Sequence, residues 1–125
     1  MNVLLVEDEA SLADVLARNL RARGHDVTTR GTAEDAILSL AEAWPDALVL
    51  DINLPDESGW EVLRRLSTED RRRLHVVVIS AAPMSQKRLD EFKPAHALLK
   101  PFPIDALARS LVGGTDAEEP TWETN

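Results

Sequence analysis

The sequence predicts a doubly wound α/β domain, in which helices cover both faces of a five-stranded parallel sheet. Strand-like and helix-like segments alternate along residues 1–112. The strand-like segments, such as Val3-Leu4-Leu5-Val6 and Val76-Val77-Val78-Ile79, are continuous apolar runs rather than alternations of apolar and polar residues. Such runs are typical of strands buried on both faces, and their alternation with helices favours a parallel sheet.

The first helix is predicted to follow the strand at residues 3–6 and to end at Gly24. Ser11 is a candidate N-cap, with Asp14 three residues later in an approximate capping box. The second strand, at residues 25–29, is more polar and suits an edge of the sheet. The apolar face of the first helix is assigned to Leu12, Val15, Leu16 and Leu20.

The middle of the chain repeats this pattern. Thr32 and Asp35 begin a second helix, and Trp44-Pro45 ends it because the position before a proline disfavours helical backbone. The third strand is predicted at residues 47–51, and Gly59 leads the third helix. The apolar face of the second helix is assigned to Ala36, Ile37, Leu40 and Ala41.

The last third of the chain supplies two more strand and helix pairs. A strand at residues 76–80 precedes a short, weak helix at residues 85–92, and a strand at residues 95–99 precedes a helix at residues 104–112. The expected strand order is 2-1-3-4-5, as in flavodoxin-like folds.

Length and composition describe one domain, predicted at residues 1–112, followed by an acidic and disordered tail or linker at residues 113–125. The chain has 125 residues, a formal net charge of −8 and no cysteine. The charge argues against a nucleic-acid-binding surface, which needs clustered cations. The one basic cluster, Arg64-Arg65 with Arg71-Arg72-Arg73, is interpreted as a solvated helix end. The sequence has no signal-peptide pattern and no apolar run long enough for a membrane span, so a cytoplasmic location is expected.

Carboxylates and a hydroxyl follow three of the predicted strands. Glu7 and Asp8 follow the first strand, while Asp51 and Ser80 end the third and fourth. In the expected strand order the first and third strands are neighbours, so Asp8 and Asp51 are expected to face each other at the carboxyl edge. Closely spaced carboxylates either raise a pKa or hold a cation, and an all-oxygen ligand set favours Mg²⁺.

Two further residues complete a possible site for phosphoryl transfer. Lys100, at the end of the fifth strand, offers a positive charge to a phosphoryl oxygen, and Ser80 offers a hydroxyl. A backbone carbonyl after Asp51, such as that of Asn53, could add a metal ligand. A carboxylate nucleophile, a divalent cation, a lysine and a hydroxyl together predict an aspartyl phosphate.

The chain resembles the receiver domain of bacterial two-component response regulators across residues 2–112. Four ordered motifs carry the resemblance: the acidic run after the first strand, Asp51 with Pro55 and Gly59, Ser80-Ala81, and Lys100-Pro101-Phe102. The resemblance implies that a histidine kinase or phosphotransfer protein donates the phosphoryl group and that a downstream protein partner reads it. It also implies a protein that catalyses only its own phosphoryl transfer and dephosphorylation.

The resemblance implies a role for each matching residue. Asp51 would be the phosphoacceptor, Asp8 a direct Mg²⁺ ligand, Glu7 a ligand through water, Asn53 a ligand through its carbonyl, Ser80 the switch hydroxyl and Lys100 the phosphate contact. In the family an aromatic residue three positions before the lysine swings inward on activation. Ala97 occupies that position here, while strand alternation places the neighbouring His96 on the opposite side.

Two other functions compete with a phosphorylatable receiver. The first is an interaction module that keeps the fold without being switched by phosphorylation. Its support is Ala97 together with the short segment between Ser80 and Lys100, which leaves little room for a full helix. The second is a Mg²⁺-dependent phosphohydrolase with an aspartyl intermediate. That chemistry usually needs a second acid near the nucleophile, whereas the residue two after Asp51 is Asn53.

Overall fold

A computed structural model describes residues 1–112 of the chain, so the predicted tail at residues 113–125 lies outside the described residues. Five parallel strands form one sheet in the order β2-β1-β3-β4-β5, which confirms the predicted topology. The strands are β1 (Asn2–Val6), β2 (Asp26–Arg30), β3 (Ala47–Asp51), β4 (His75–Ser80) and β5 (His96–Leu99). The central strand β3 is buried along its whole length, as its apolar run predicts.

Residues 1–112 contain six helices, one more than predicted. They are α1 (Ala10–Ala22), α2 (Ala33–Glu42), α3 (Gly59–Arg64), α4 (Thr68–Arg73), α5 (Gln86–Phe92) and α6 (Ile104–Val112). Helices α2, α3 and α5 cover one face of the sheet, and α1 and α6 cover the other. Each face therefore has its own apolar cluster, with β3 contributing Leu48 and Leu50 to one and Ala47 and Val49 to the other.

The predicted N-cap of α1 is wrong, whereas its predicted apolar face is confirmed except at Val15. The helix begins at Ala10, with Glu9 at the N-cap position, and the Ser11 hydroxyl donates to the Glu9 carboxylate. The buried residues are Ala13, Leu16, Ala17 and Leu20, whereas Val15 is 41% exposed. Leu16 and Leu20 were predicted, and partly buried Leu12 packs against the same cluster, while Ala13 and Ala17 take the place of Val15 on the buried face.

The unpredicted helix α4 has no apolar periodicity that could reveal it. Ser67 caps it by accepting a hydrogen bond from the backbone N–H of Asp70 at 3.0 Å. Its sequence, Thr68-Glu69-Asp70-Arg71-Arg72-Arg73, places acids in the first turn and arginines in the last, which complements the helix dipole. Capping and charge order are therefore the local signals for this short helix, and no buried face accompanies them.

Candidate functional site

The parallel register brings the chemically distinctive residues to one edge of the sheet. Val6 pairs with Leu50, so Glu7 and Asp8 follow β1 next to the end of β3 at Asp51. Ser80 pairs with Leu99, which places the end of β4 beside Lys100. The carboxyl ends of parallel strands meet at the same edge, and this sheet therefore assembles the predicted group.

Three carboxylates form the centre of this edge. Glu7, Asp8 and Asp51 each offer an oxygen, and these oxygens lie within 4.8 Å of one another. Glu7 and Asp51 are buried, whereas Asp8 is exposed at the mouth of the site. The donor set contains only hard oxygen ligands, which fits Mg²⁺ and leaves room on the exposed side for the waters that this ion retains.

Lys100 lies between the two buried carboxylates. Its Nζ is 2.6 Å from Glu7 Oε1 and 3.1 Å from Asp51 Oδ2. Burial disfavours the ammonium, but its hydrogen bonds to both carboxylates outweigh that cost and raise the pKa of Lys100. The lysine is therefore a permanent cation at the site, and the Lys100-Pro101 peptide bond after it is cis.

Glu7 is the carboxylate of the site on which opposing electrostatic effects act. Burial raises its pKa to about 7, and the neighbouring charge of Asp51 acts in the same direction. The hydrogen bond from Lys100 and the one from the Glu9 backbone N–H, at 3.1 Å, oppose this shift without cancelling it. Two buried acids share one lysine, so the cluster favours binding either a proton or another cation.

Ser80 and Asn53 contact each other at the site, and Asn53 also contacts Asp51. The Asn53 amide Nδ2 donates to Ser80 Oγ at 3.3 Å, and Asn53 N–H donates to Asp51 Oδ1 at 2.9 Å. The Ser80 hydroxyl donates to the carbonyl of Ala82 at 2.7 Å. The sequence predicted Asn53 only as a carbonyl ligand, and the structure adds a side-chain hydrogen bond from the loop after β3 to the Ser80 hydroxyl.

The loop from β3 to α3 is held at its base by close backbone packing. A Cβ atom added to Gly59 would lie 2.4 Å from the carbonyl oxygen of Asp51, so any larger residue would displace the backbone of the phosphoacceptor candidate. The Gly59 N–H donates to the carbonyl of Ile52 at 2.8 Å, and Asn53 bridges to Ser58. Glycine is required here by proximity, because α3 begins against the end of β3.

A second contact of this loop, at Asp56, was missed by sequence reasoning. Its two carboxylate oxygens accept hydrogen bonds from the backbone N–H groups of Ala33 and Glu34, at 2.9 and 3.0 Å. These bonds hold the pKa of Asp56 below its usual value. Aspartate is a common helix-capping residue. Here its partner Ala33 lies 23 positions earlier in the chain, so no local sequence pattern connects the two residues.

The position of the family's mobile aromatic residue is Ala97, which packs with the α2, α3 and α5 cluster. His96 is buried on the other side, with its ring 6.1 Å from that of His75, as strand alternation predicts. On the Ala97 side, Trp60 of α3 stacks on Phe92 of α5, with ring centroids 5.5 Å apart and planes 9° from parallel. Aromatic packing on this face therefore joins α3 to α5 directly.

The basic cluster is only partly a solvated helix end. Arg71 donates to the carbonyls of Leu63 and Leu66 at 3.0 and 3.4 Å, and its guanidinium lies 5.1 Å from the Phe92 ring centroid. Arg64 lies over the same ring at the same distance and pairs with Glu91 at 2.7 Å. The interpretation as solvated charge holds for exposed Arg72 and is wrong for Arg71, which closes the end of α3.

A five-stranded 2-1-3-4-5 sheet with an acidic cluster, a hydroxyl and a lysine at its carboxyl edge defines the class of receiver domains. The response regulator receiver domain family matches residues 3–111 of the sequence. The chain therefore belongs to the response regulator receiver domain family of two-component systems.

Individual relatives agree with this assignment. The transcriptional regulatory protein KdpE of Mycobacterium tuberculosis is 32% identical, covering 98% of this chain and 58% of that protein. The virulence transcriptional regulatory protein PhoP of Salmonella typhimurium is 35% identical, covering 84% of this chain and 47% of that protein. The chain spans about half the length of the curated relatives that it matches.

Solved structures show the same fold. The non-phosphorylated HemR receiver domain from Leptospira biflexa is 27% identical, with a TM-score of 0.78 and coverage of 88% of this chain and 90% of that one. The response regulator TrrA from Thermotoga maritima, solved in complex with Mg²⁺-BeF, has a TM-score of 0.77 at 23% identity, covering 88% and 95% of the two chains.

Within residues 1–112, no helix combines the length and apolar character needed to cross a bilayer.

Proposed function

We propose that this receiver accepts a phosphoryl group on Asp51 from a histidine kinase or phosphotransfer protein, and that the reaction depends on Mg²⁺. The observation that carries the proposal is the arrangement around Asp51: a buried carboxylate within an acidic cluster, 3.1 Å from the Lys100 ammonium. Receiver domains are not enzymes in the usual sense, and the reaction proposed here is the protein's own modification and its reversal.

The residues at the edge fit the proposed cation. Asp8 and Asp51 would hold Mg²⁺ directly, Glu7 would act through water, and Asn53 would add its carbonyl. When bound, the ion would neutralise charge on the phosphoryl oxygens and on the carboxylates that surround them. The fit rests on the chemistry of three oxygen donors that already converge within 4.8 Å.

The residues of the chain then have separate roles in the transfer. An Asp51 carboxylate oxygen forms the new O–P bond while the P–N bond of the donor phosphohistidine breaks, and the electron pair leaves with the imidazole nitrogen. Lys100, already within reach of Asp51, stabilises charge on the phosphoryl oxygens. Glu7 keeps Lys100 in position through the 2.6 Å ion pair.

Ser80 is proposed as the residue that senses the modification. A phosphoryl group adds about −1.5 to −2 charges and strong acceptor oxygens. The Ser80 hydroxyl, which now donates to the Ala82 carbonyl, would turn to donate to the new oxygens. Because Asn53 contacts both Ser80 and Asp51, the change would involve the loops after β3 and β4 together and alter the surface available to a downstream protein partner.

The transcriptional role of the relatives belongs to proteins about twice as long as the matched segment. For this chain we propose control of a protein partner, in the cytoplasm, without direct contact to nucleic acid or membrane. The formal net charge of −8 supports the absence of a nucleic-acid surface.

The alternative of an unswitched interaction module is favoured by one observation, the small side chain of Ala97 at the position of the family's mobile aromatic residue. In that case the acidic site would bind its cation while the helical faces stayed unchanged. The two functions differ in their response to a phosphoryl group, which a direct experiment can measure.

The test is to incubate the protein with Mg²⁺ and a small-molecule phosphodonor, and to follow adduct formation by intact-protein mass spectrometry. Wild type is expected to gain one hydroxylamine-sensitive phosphoryl group, Asp51→Asn to gain none, and the exposed-site control Asp90→Asn to behave as wild type. In parallel, Mg²⁺ with beryllofluoride is expected to shift amide NMR signals around Ser80 and α5. Absence of an adduct in wild type would contradict the proposal, and an adduct without a shift beyond the site would favour the unswitched module.

A further inference from the structure

The loop between β3 and α3 has two anchors, one at its base and one at its tip. At the base, Gly59 packs against the backbone of Asp51 and Asn53 bridges to Ser58. At the tip, Asp56 reaches across to the first turn of α2 and accepts two backbone hydrogen bonds there. Asn53 belongs to the base anchor and lies only three residues before Asp56 at the tip, so the position of its backbone depends on both anchors.

Asp56 and Thr32 both cap α2, but they differ in how far along the chain their side chains lie from the N–H groups that they bind. Thr32, the residue before the helix, accepts a hydrogen bond from the Asp35 N–H at 3.0 Å and is a purely local cap. Asp56 binds the N–H groups of Ala33 and Glu34, which have no partner inside the helix. Of these two caps, Asp56 is the one that joins the helix to the phosphoacceptor loop.

The position of the loop is linked to the orientation of the Asp51 side chain. The Asn53 N–H donates to Asp51 Oδ1 at 2.9 Å, so a displaced loop would release this carboxylate oxygen. The hydrogen bonds to Ala33 and Glu34 keep Asp56 ionised and therefore a strong acceptor, since they lower its pKa.

We propose that Asp56 is a positioning residue for the cation site: it ties the phosphoacceptor loop to α2 and so prearranges Asn53 and Asp51 for Mg²⁺. This inference rests on the proposed function of the acidic cluster. Without the contact the loop tip is free to sample other positions, and the binding-competent fraction falls. An apparent Kd rises in inverse proportion to that fraction, and groups that orient metal ligands typically change affinity about tenfold or more.

The inference has a reciprocal consequence. If Asp56 couples the loop to α2, Mg²⁺ binding must strengthen the contact by the same free energy with which the contact strengthens Mg²⁺ binding. The amide hydrogens of Ala33 and Glu34 should therefore exchange more slowly when Mg²⁺ is added. A cap that only stabilised α2 would give no such response.

The experiment compares Asp56→Ala with Thr32→Ala, which removes a cap from the same helix without touching the loop. Mg²⁺ alone is titrated into each protein by calorimetry, and amide hydrogen exchange at Ala33 and Glu34 is measured by NMR with and without Mg²⁺. Asp56→Ala is expected to raise the Mg²⁺ Kd roughly tenfold, and Thr32→Ala to leave it within about twofold of wild type. Asp56→Asn, which keeps one acceptor oxygen, is expected to fall between them and replaces Asp56→Ala if that variant does not fold.

The outcomes separate this inference from the function on which it rests. If wild type binds Mg²⁺ and Asp56→Ala binds it equally well, the positioning role is wrong while the cation site stands. Equal losses in Asp56→Ala and Thr32→Ala would also overturn it, because they would trace the effect to helix stability. If wild type itself binds no Mg²⁺, both the cation site and the positioning role fail.

Discussion

Two partly buried cations in this protein have opposite surroundings. Lys100, at the edge of the sheet, faces the two buried carboxylates Glu7 and Asp51, so that the acids outnumber the base. Arg71, at the corner of α3, α4 and α5, faces neutral backbone carbonyls and the ring of Phe92. Lys100 and its two carboxylates together carry a net negative charge, whereas the guanidinium of Arg71 has its partners within the protein.

This difference separates a binding site from a structural contact. A buried group with surplus negative charge favours uptake of a proton or a cation, because either one relieves the repulsion. A guanidinium over an aromatic ring, with carbonyls accepting its N–H groups, has no comparable need for a ligand. The comparison predicts that removing Lys100 gives a large, pH-dependent effect, whereas removing Arg71 gives a small one that does not depend on pH.

The largest effect is expected for Lys100→Met. Removing the lysine leaves Glu7 and Asp51 buried without their shared cation, which should lower the free energy of unfolding by about 2–4 kcal/mol at pH 7.5. The loss should shrink at pH 5, where Glu7 holds a proton. Urea unfolding followed by circular dichroism at both pH values measures this, with exposed Lys87→Met as the control. A loss of equal size at both pH values would show that the charge pairing does not cause it.

The next effect concerns Glu7→Gln. The pKa of Glu7 is raised from 4.5 to about 7 in the fold, so the folded state binds this proton more tightly than the unfolded chain does. Stability from this group is complete below about pH 4.5 and is lost as the pH rises through about 7. The free energy of unfolding of wild type, relative to Glu7→Gln, should therefore fall by about 2 kcal/mol between pH 5 and 8. Parallel pH profiles for the two proteins would contradict the raised pKa.

The smallest effect is expected for Arg71→Met. The variant keeps an apolar chain over Phe92 but loses the hydrogen bonds to the end of α3, which should cost about 1 kcal/mol at any pH between 5 and 8. Exposed Arg72→Met, one position away, is the matched control and should unfold as wild type does. The comparison between the two cations would break down if Arg71→Met proved as costly and as pH-dependent as Lys100→Met.

The fold could be predicted from the sequence because strands and helix starts are indicated by patterns among neighbouring residues. The run Ala47-Leu48-Val49-Leu50 predicted a strand buried on both faces, and β3 is buried throughout. Thr32 with Asp35 correctly marked the start of α2, since capping involves neighbouring residues. Helix α1 was predicted together with Leu16 and Leu20 of its buried face, but Ala13 and Ala17 were not, because a helix of alanines and leucines offers several apolar stripes and its packing neighbours decide which one is buried. Helix α4 was missed for lack of any apolar stripe.

The sequence by itself determined the set of residues at the candidate site and the strand ends that carry them. Glu7, Asp8, Asp51, Ser80 and Lys100 were all placed from spacing along apolar runs, since parallel strands bring their carboxyl ends to one edge. The roles proposed for them rest on that set together with its family.

Only the tertiary structure decided how these residues contact one another and the rest of the fold. It paired Lys100 with both Glu7 and Asp51, and burial then raised the pKa of Glu7, an effect that depends on the loss of water rather than on residue type. It also joined Asp56 to Ala33 and Glu34, far along the chain. Hydrogen bonds between distant segments and desolvation are set by chain packing in three dimensions, and for that reason no local sequence pattern records them.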